Sequence, residues 1–309
     1  RKSRSLQDLT FASLTTRSPL RLRLWFADTS PRSLSNFNQG KNSDKEFLCV
    51  IQIKGYKYAK ENNIDVGGEY NYKGKIYSYD HILKNKDKKE LNLIEELRLK
   101  DKPFDLIDKK KLHRFAHHLN SSQILCYNYF RPMITDNKEP KDELLRLISD
   151  NIISIKSNAI CEFEYNPNTE EGTEFDFYIK QDECTEIFFE IKYTEYQFGQ
   201  AKNDERHKNK FEDIYKEMID KCKCLKTKNI EFDVFIKNYQ LFRNILRVTE
   251  ENKFSIFLLP KEHERLRKSF ETFKNDYVSK EYCNNVKVLY WEDLVKGKEN
   301  TELFKKYFS

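Results

Sequence analysis

Two carboxylates and a lysine lie inside short apolar segments in the middle of this 309-residue sequence. Asp176 falls in the segment from Phe175 to Ile179, and Glu190 and Lys192 fall in the segment from Ile187 to Lys192. Because carboxylates are hard oxygen ligands, a converging Asp and Glu predict a Mg²⁺ site that substrate phosphate oxygens complete. A lysine beside them would orient an attacking water or offset charge on a phosphate. These residue types therefore indicate metal-dependent chemistry on a phosphate.

Both segments have the period-two alternation of β-strands with two distinct faces. In the first segment, the sequence predicts Asp176 and Tyr178 on one face and apolar residues on the other. That apolar face consists of Phe175, Phe177 and Ile179. In the second segment, Glu190 and Lys192 share a face because residues two apart project to the same side. The polar residues 180–186 are long enough for a hairpin connection, so we expect the two strands to be antiparallel neighbours.

Mixed charges on the solvent face of an ordinary hairpin are the alternative interpretation of these three residues. Two observations favour a functional site. The charged side chains lie inside apolar segments, where an idle charge is costly. A segment with amide and basic side chains, including Gln200, Lys202 and Arg206, also follows directly in the sequence.

The spacing of Asp176 from Glu190-Ile191-Lys192 resembles the D…(D/E)xK signature of the PD-(D/E)XK nuclease superfamily. The surrounding sequence is similar to the restriction-endonuclease-like branch of that superfamily over about residues 45–300. The similar stretches are GTEFDFYI (172–179), FFEIKYTE (188–195), FGQAK (198–202), HLNSSQ (118–123) and VLYWED (288–293). One departure is that no proline precedes Asp176, although that proline is commonly absent in the superfamily.

The resemblance implies a DNA endonuclease that depends on Mg²⁺, for which Mn²⁺ would substitute. Asp176, Glu190 and the Ile191 carbonyl would hold the metal, and Lys192 would position or activate the water. Replacing Glu190 or Lys192 with alanine is then expected to abolish cleavage and leave folding nearly intact.

The resemblance also assigns candidates for phosphate contact. Helical spacing predicts a crossing helix from Phe198 to Leu225, after the second strand. In related nucleases a Gln or Lys at this location contacts the scissile phosphate, so Gln200 is a candidate catalytic residue. Lys202 and Arg206 are candidates for nucleic-acid binding. A solvated helix start remains the alternative interpretation of these residues.

The implied fold is α/β, a restriction-endonuclease-like core in which a mixed sheet with a central antiparallel meander is flanked by helices. Residues 159–165, 174–180 and 186–194 are the predicted meander. Its first strand is predicted to direct Cys161, Phe163 and Tyr165 one way and Glu162 and Glu164 the other. Residues 254–259 and 286–291 are predicted as later strands, joined by a parallel crossover.

Further helices are predicted from apolar spacing, and three of them concern the site and its surroundings. The first is Leu112–Phe130, which Pro132 is expected to end. Three histidines fall on it and are interpreted as polar helix surface rather than metal ligands: His113, His117 and His118. The second is 141–153, whose Glu143 is by position a candidate extra acid for the metal site, or else a favourable charge near a helix N-terminus. The third is 233–248.

Composition changes abruptly near residue 40. Residues 1–40 carry seven basic and two acidic residues, and we interpret them as a disordered or non-native leader, with an organelle transit peptide as the alternative. The remainder has 49 basic and 48 acidic residues, so any DNA-binding surface must be a local patch. We expect residues 41–104 to form an accessory N-terminal lobe and residues 105–309 to form the catalytic domain.

We expect a soluble protein, because no apolar run approaches the ~20 residues of a membrane helix. Its seven scattered cysteines are interpreted as the reduced thiols of a cytoplasmic protein rather than a disulfide or zinc framework. The expected partner is DNA, with a homodimer as a possible assembly, and the implied role is restriction or defence against foreign DNA. A catalytically silent nuclease-fold module that binds nucleic acid in a defence or repair assembly is the alternative. An enzyme acting on RNA is a third.

Overall fold

The structure is a computed structural model that describes residues 41–135, 140–149, 159–181 and 185–309. The predicted leader, residues 1–40, lies outside this range. The described helices are α1 (Lys41–Glu61), α2 (Glu95–Arg98), α3 (Ser122–Thr135), α4 (Pro140–Ile148), α5 (Glu205–Lys210), α6 (Lys216–Lys221), α7 (Phe232–Lys237), α8 (Tyr239–Ile245), α9 (Glu264–Tyr277), α10 (Trp291–Leu294) and α11 (Glu302–Tyr307). A π-helical turn at Phe211–Tyr215 joins α5 to α6.

A five-stranded mixed sheet lies at the centre of the molecule, with the strands in sequence order. Its strands are β3 (Ile160–Tyr165), β4 (Phe175–Gln181), β5 (Thr185–Ile191), β6 (Lys253–Leu259) and β7 (Val286–Tyr290). The first three pair antiparallel, whereas β5, β6 and β7 run parallel. The predicted mixed sheet is thus present. The meander forms one edge of it rather than the centre, because β6 and β7 both add on the β5 side.

Helices cover both faces of the sheet, as parallel strands require. On one face, Phe130 of α3 stacks on Phe177 of β4, with ring centroids 4.1 Å apart. On the other face, Phe257 of β6 packs against Phe270 of α9, with ring centroids 4.9 Å apart. The alternating side chains of β6 therefore belong to two separate hydrophobic cores.

The segment before residue 105 packs on the same core as the sheet. Phe47 and Ile51 of α1 and Leu97 of α2 lie in one cluster with Phe177 and Phe189. The strands β1 (Val66–Tyr72) and β2 (Lys75–Leu83) form a separate two-stranded antiparallel sheet. The boundary at residue 104 stays a prediction.

The predicted helix Leu112–Phe130 begins only at Ser122. The residues before it pair with β2 instead, where the Leu119 N–H donates to the His81 carbonyl at 2.8 Å. This contact between distant parts of the chain is not visible in local apolar spacing. Non-local pairing therefore overrides the helical pattern at residues 112–121.

The histidine and proline assignments in this region are also wrong. His117 and His118 are buried beside the hairpin and do not lie on a polar helix surface. Pro132 does not end α3, which continues to Thr135. Pro132 lacks the N–H of one i→i−4 bond, so α3 continues to Thr135 with one backbone hydrogen bond fewer.

Two later helices also differ from the prediction. The helix predicted from Phe198 begins at Glu205, where the Asp204 carboxylate caps it by accepting the backbone N–H three residues on, at 3.0 Å. The helix predicted over 233–248 is divided into α7 and α8 at Asn238, whose φ of −113° is not helical. Among the described residues, no helix is long and apolar enough to span a lipid bilayer.

Candidate active site

The backbone pairing of β4 with β5 ends next to Asp176. Their ladder ends at the Phe177–Phe189 pair, and beyond it the Ile191 N–H donates to Asp176 Oδ2 at 2.6 Å. The next residue along, Lys192, donates its N–H to the Leu258 carbonyl of β6 at 3.0 Å. Backbone groups alternate along a strand, so those of Ile191 face β4. A side chain thus replaces a backbone partner at this point and brings Asp176 beside the end of β5.

Glu190 and Lys192 form a buried ion pair at the same place. Lys192 Nζ lies 2.7 Å from Glu190 Oε1, and the two residues are only 9% and 4% exposed. Burial opposes the charged form of Lys192, but the negative charges of Glu190, Glu195 and Asp176 prevail and raise the pKa of its ammonium above the usual value. Lys192 is therefore a cation at neutral pH.

Asp176 lies in an environment that disfavours its charge. Burial, followed by the charges of Glu190 and Glu164, raises the pKa of Asp176 well above its usual value. The Lys192 ammonium and the Ile191 N–H act in the opposite direction. The structure therefore brings Asp176, Glu190 and Lys192 into one electrostatic cluster, while their catalytic roles stay predictions.

Two amide side chains of α8 fix the Glu190 carboxylate. Gln240 Nε2 donates to Glu190 Oε1 at 2.7 Å, and Asn244 Nδ2 donates to Glu190 Oε2 at 2.8 Å. Both oxygens thus have donors from the protein, which is how a buried carboxylate is usually satisfied. Sequence reasoning missed this pair. The available signal was two amides four residues apart, Gln240 and Asn244, in a helix that is otherwise apolar at Leu241, Phe242 and Ile245.

Glu164 is a third carboxylate of the site that sequence reasoning did not assign. It lies on β3, between the Phe163–Phe177 and Tyr165–Phe175 pairs, and so opposite Asp176. Gln123 Nε2 donates to Glu164 Oε1 at 2.7 Å. Burial raises the pKa of Glu164 to about 7. Glu164 is therefore partly protonated near neutral pH.

The backbone at Glu164 is unusual and changes the predicted strand faces. Its φ is +50°, in a region that residues other than glycine rarely adopt. Where such residues occur, they are often at functional sites. Tyr165 stacks on Tyr178, with ring centroids 3.8 Å apart, and Phe175 packs in the same cluster as Tyr178. The predicted common faces of Phe163 with Tyr165 and of Phe175 with Phe177 are therefore wrong, because the pleat is interrupted at Glu164.

The predicted phosphate-contacting residues are exposed. Gln200 and Lys202 lie in the loop before α5 rather than on a helix, and Arg206 lies in its first turn. One connection joins this loop to the site: the Gly199 N–H donates to Gln240 Oε1 at 2.8 Å, so Gln240 binds both Glu190 and the loop. The further candidate acid, Glu143, belongs to α4, but its side chain lies outside the described residues.

The donor chemistry of the site fits a divalent cation. Asp176 and Glu190 supply carboxylate oxygens beside Lys192, and burial, followed by the charges of Glu190 and Glu164, raises the pKa of Asp176. Within the described ranges, no three His, Cys, Asp or Glu side chains converge as a metal-binding group. A metal would thus need a mixed set of carboxylate and backbone oxygens. The six described cysteines are free thiols, as predicted.

A five-stranded mixed sheet flanked by helices, with a charged cluster where its antiparallel strands separate, is consistent with a restriction-endonuclease-like fold. A model of the family described as "restriction endonuclease associating with ARP" matches residues 54–308. The chain therefore belongs to this family. No curated protein and no solved structure matches the chain.

Proposed function

We propose that the protein is a metal-dependent endonuclease that hydrolyses DNA phosphodiester bonds. The observation that carries this proposal is the buried cluster of Asp176, Glu190 and Lys192 at the point where β4 and β5 separate. Membership in a restriction-endonuclease-associated family supports a nuclease-like role. Restriction of foreign DNA in the cytoplasm is the role we propose, and a homodimer would offer one site to each strand of a duplex.

The metal we propose is Mg²⁺, with Mn²⁺ as a substitute. Asp176, Glu190 and the carbonyl of Ile191 would hold it, since Asp176 and the backbone of Ile191 meet at one point. When bound, the metal supplies Lewis-acid polarisation of a phosphate oxygen. We do not expect Mg²⁺ to be replaced by zinc, because the proposed donor set contains neither sulfur nor imidazole.

The chain's own groups have distinct roles in this proposal. Lys192, a buried cation, donates hydrogen bonds to the attacking water or to a phosphate oxygen. Gln240 and Asn244 hold the Glu190 carboxylate in one orientation. Glu164, with its pKa near 7, is suited to exchange a proton with water in the site at neutral pH.

One observation favours the alternative, a catalytically silent nuclease-fold module that binds nucleic acid. Both oxygens of Glu190 already accept hydrogen bonds, from Gln240 and Asn244, and Oε1 also contacts Lys192. In the endonuclease, one of these contacts must yield when a metal binds. In the silent module, all of them persist and the cluster serves only the fold.

The test is a plasmid-cleavage assay on the wild-type protein with Mg²⁺, with Mn²⁺ and with EDTA. We expect nicked or linear DNA with either metal and intact supercoiled DNA in EDTA. A matched RNA substrate distinguishes an enzyme acting on RNA. DNA binding without cleavage in either metal would support the silent module and contradict the endonuclease.

A further inference from the structure

Three cationic side chains gather beside the loop that leads into β4. Arg206 and Lys210 lie four residues apart on α5, and Arg243 lies on α8. Lys210 Nζ donates to the Glu171 carbonyl at 2.8 Å, and Arg243 Nη2 donates to the Gly172 carbonyl, also at 2.8 Å. Lys210 Nζ also lies 3.8 Å from where a Cβ on Gly172 would stand, so both cations lie beside Gly172. We refer to Arg206, Lys210 and Arg243 as the cation cluster.

Specific backbone and side-chain contacts fix the conformation of the loop beside the cation cluster. Gly172 has a φ of +65°, which favours glycine, and its carbonyl is thereby presented to Arg243. Arg243 Nε also donates to Thr173 Oγ1, at 2.7 Å. The Glu171 carboxylate is buried and is bound by Arg247 and by the Thr173 hydroxyl. The Glu171 carboxylate is therefore already neutralised by Arg247.

The cation cluster differs from its neighbours on the same helical segment in its ion pairing. In the described part of the chain, none of its three side chains forms an ion pair, whereas Lys208 and Lys216 on the same helical segment pair with Glu205 and Glu212. Burial, followed by the neighbouring charges of Arg206 and Arg243, lowers the pKa of Lys210. The cluster therefore concentrates charge that an anion would relieve.

Two parts of the chain connect the cation cluster to the candidate active site: the loop before β4 and the helix α8. Thr173, which Arg243 binds, is three residues before Asp176 in the chain. On α8, Arg243 directly precedes Asn244 and lies one turn after Gln240, the two amides that hold Glu190. One helical turn rises about 5.4 Å, so α8 sets a fixed, short spacing between the cluster and Glu190.

We propose that the cation cluster binds a non-scissile backbone phosphate of the DNA duplex, next to the phosphate that is cleaved. This proposal rests on the proposed endonuclease function. Arginine and lysine together suit a phosphate, because guanidinium offers paired donors and ammonium a compact charge. The chain beyond residue 40 is almost neutral, with 49 basic and 48 acidic residues, so a local cluster of unpaired cations is the feature that DNA binding requires.

The test measures the affinity of the protein for a fluorescent DNA duplex in EDTA, over a series of salt concentrations. The variant is Arg206→Gln/Lys210→Gln, and the control is Lys208→Gln/Lys216→Gln, which removes the same charge from the same helical segment. A single Arg206→Gln variant guards against misfolding, because Arg206 is exposed. We expect the double variant to bind more weakly, with its log–log salt slope reduced by about one, as the loss of one phosphate contact predicts. We expect the control to retain the wild-type slope.

Equal slopes for the double variant, the control and the wild type would overturn the phosphate site. If the wild type still cleaves DNA with Mg²⁺ in that case, the proposed function stands and only the cation cluster loses its role. If the wild type neither binds nor cleaves the duplex, both proposals fail together.

Discussion

Replacing Asp176 with asparagine is expected to abolish cleavage and, at the same time, to stabilise the metal-free protein. Activity is lost because the variant lacks a carboxylate that the proposed metal site needs. Stability rises because the buried Asp176 charge is disfavoured by desolvation and by Glu190 and Glu164, whereas asparagine is neutral. The asparagine carbonyl can still accept the Ile191 N–H. Loss of function with gain of stability is typical of residues kept for chemistry.

The change in the free energy of unfolding with pH gives a second way to test this prediction. A carboxyl group with a raised pKa binds its proton more tightly in the folded state. The wild-type free energy of unfolding therefore falls as pH rises from the usual value of 3.8 towards the raised pKa. Asp176→Asn removes this fall, so the two proteins should differ more at neutral pH than at acidic pH.

The measurement is thermal unfolding in EDTA and in Mn²⁺, with the exposed Asp220→Asn as the control. We expect Mn²⁺ to raise the midpoint of the wild type and of the control but not that of Asp176→Asn. A variant that is less stable than the wild type in EDTA, or that is stabilised by Mn²⁺ to the same extent, would show that Asp176 is a structural residue.

Replacing Lys192 with methionine is expected to separate metal binding from cleavage. The ammonium lies 2.7 Å from Glu190 Oε1, where it competes with a cation for that oxygen. Its removal should leave Mn²⁺ affinity unchanged or higher. Cleavage should fall by about 10²–10³-fold or more, as when one preorganised donor to the reacting group is lost. Gln240 and Asn244 still hold Glu190, so the fold should persist.

Single-turnover cleavage at saturating Mn²⁺, together with a Mn²⁺ titration, measures both quantities on the same protein. Lys180→Met is the matched control, because Lys180 lies on β4 beyond the Phe177–Phe189 pair and away from the site. Cleavage by Lys192→Met at the wild-type rate would remove Lys192 from the mechanism. A large loss of Mn²⁺ affinity would instead mean that Lys192 supports the shape of the site.

Features set by local pattern could be predicted from the sequence. The alternation in β4 and β5 and the apolar run of β6 predicted the mixed sheet. The same alternation placed Glu190 and Lys192 on one face, where the structure has them in contact. Features set by contacts between distant residues could not be predicted. Residues 112–121 have helical spacing, but residues 117–119 pair with β2, and no local signal reports that partner.

The site itself shows the same division. The sequence predicts Glu164 within a regularly alternating strand, because its positive φ depends on the tertiary environment rather than on its own residue type. Gln240 and Asn244 come from a helix that is 50 or more residues from Glu190 in the chain, so their role required the three-dimensional structure. The spacing of residues therefore predicts the short D…ExK hairpin, but it does not predict that Gln240 and Asn244 hold Glu190 in place.

The most direct test of the proposed metal site is to locate Mn²⁺ by anomalous diffraction in crystals of the wild-type protein and of Asp176→Asn. We expect an anomalous peak beside the Asp176 carboxylate and the Ile191 backbone in the wild type, and no peak there in the variant. The absence of this peak from wild-type crystals, in a preparation that cleaves DNA with Mn²⁺, would contradict the assignment of the active site to Asp176, Glu190 and Lys192.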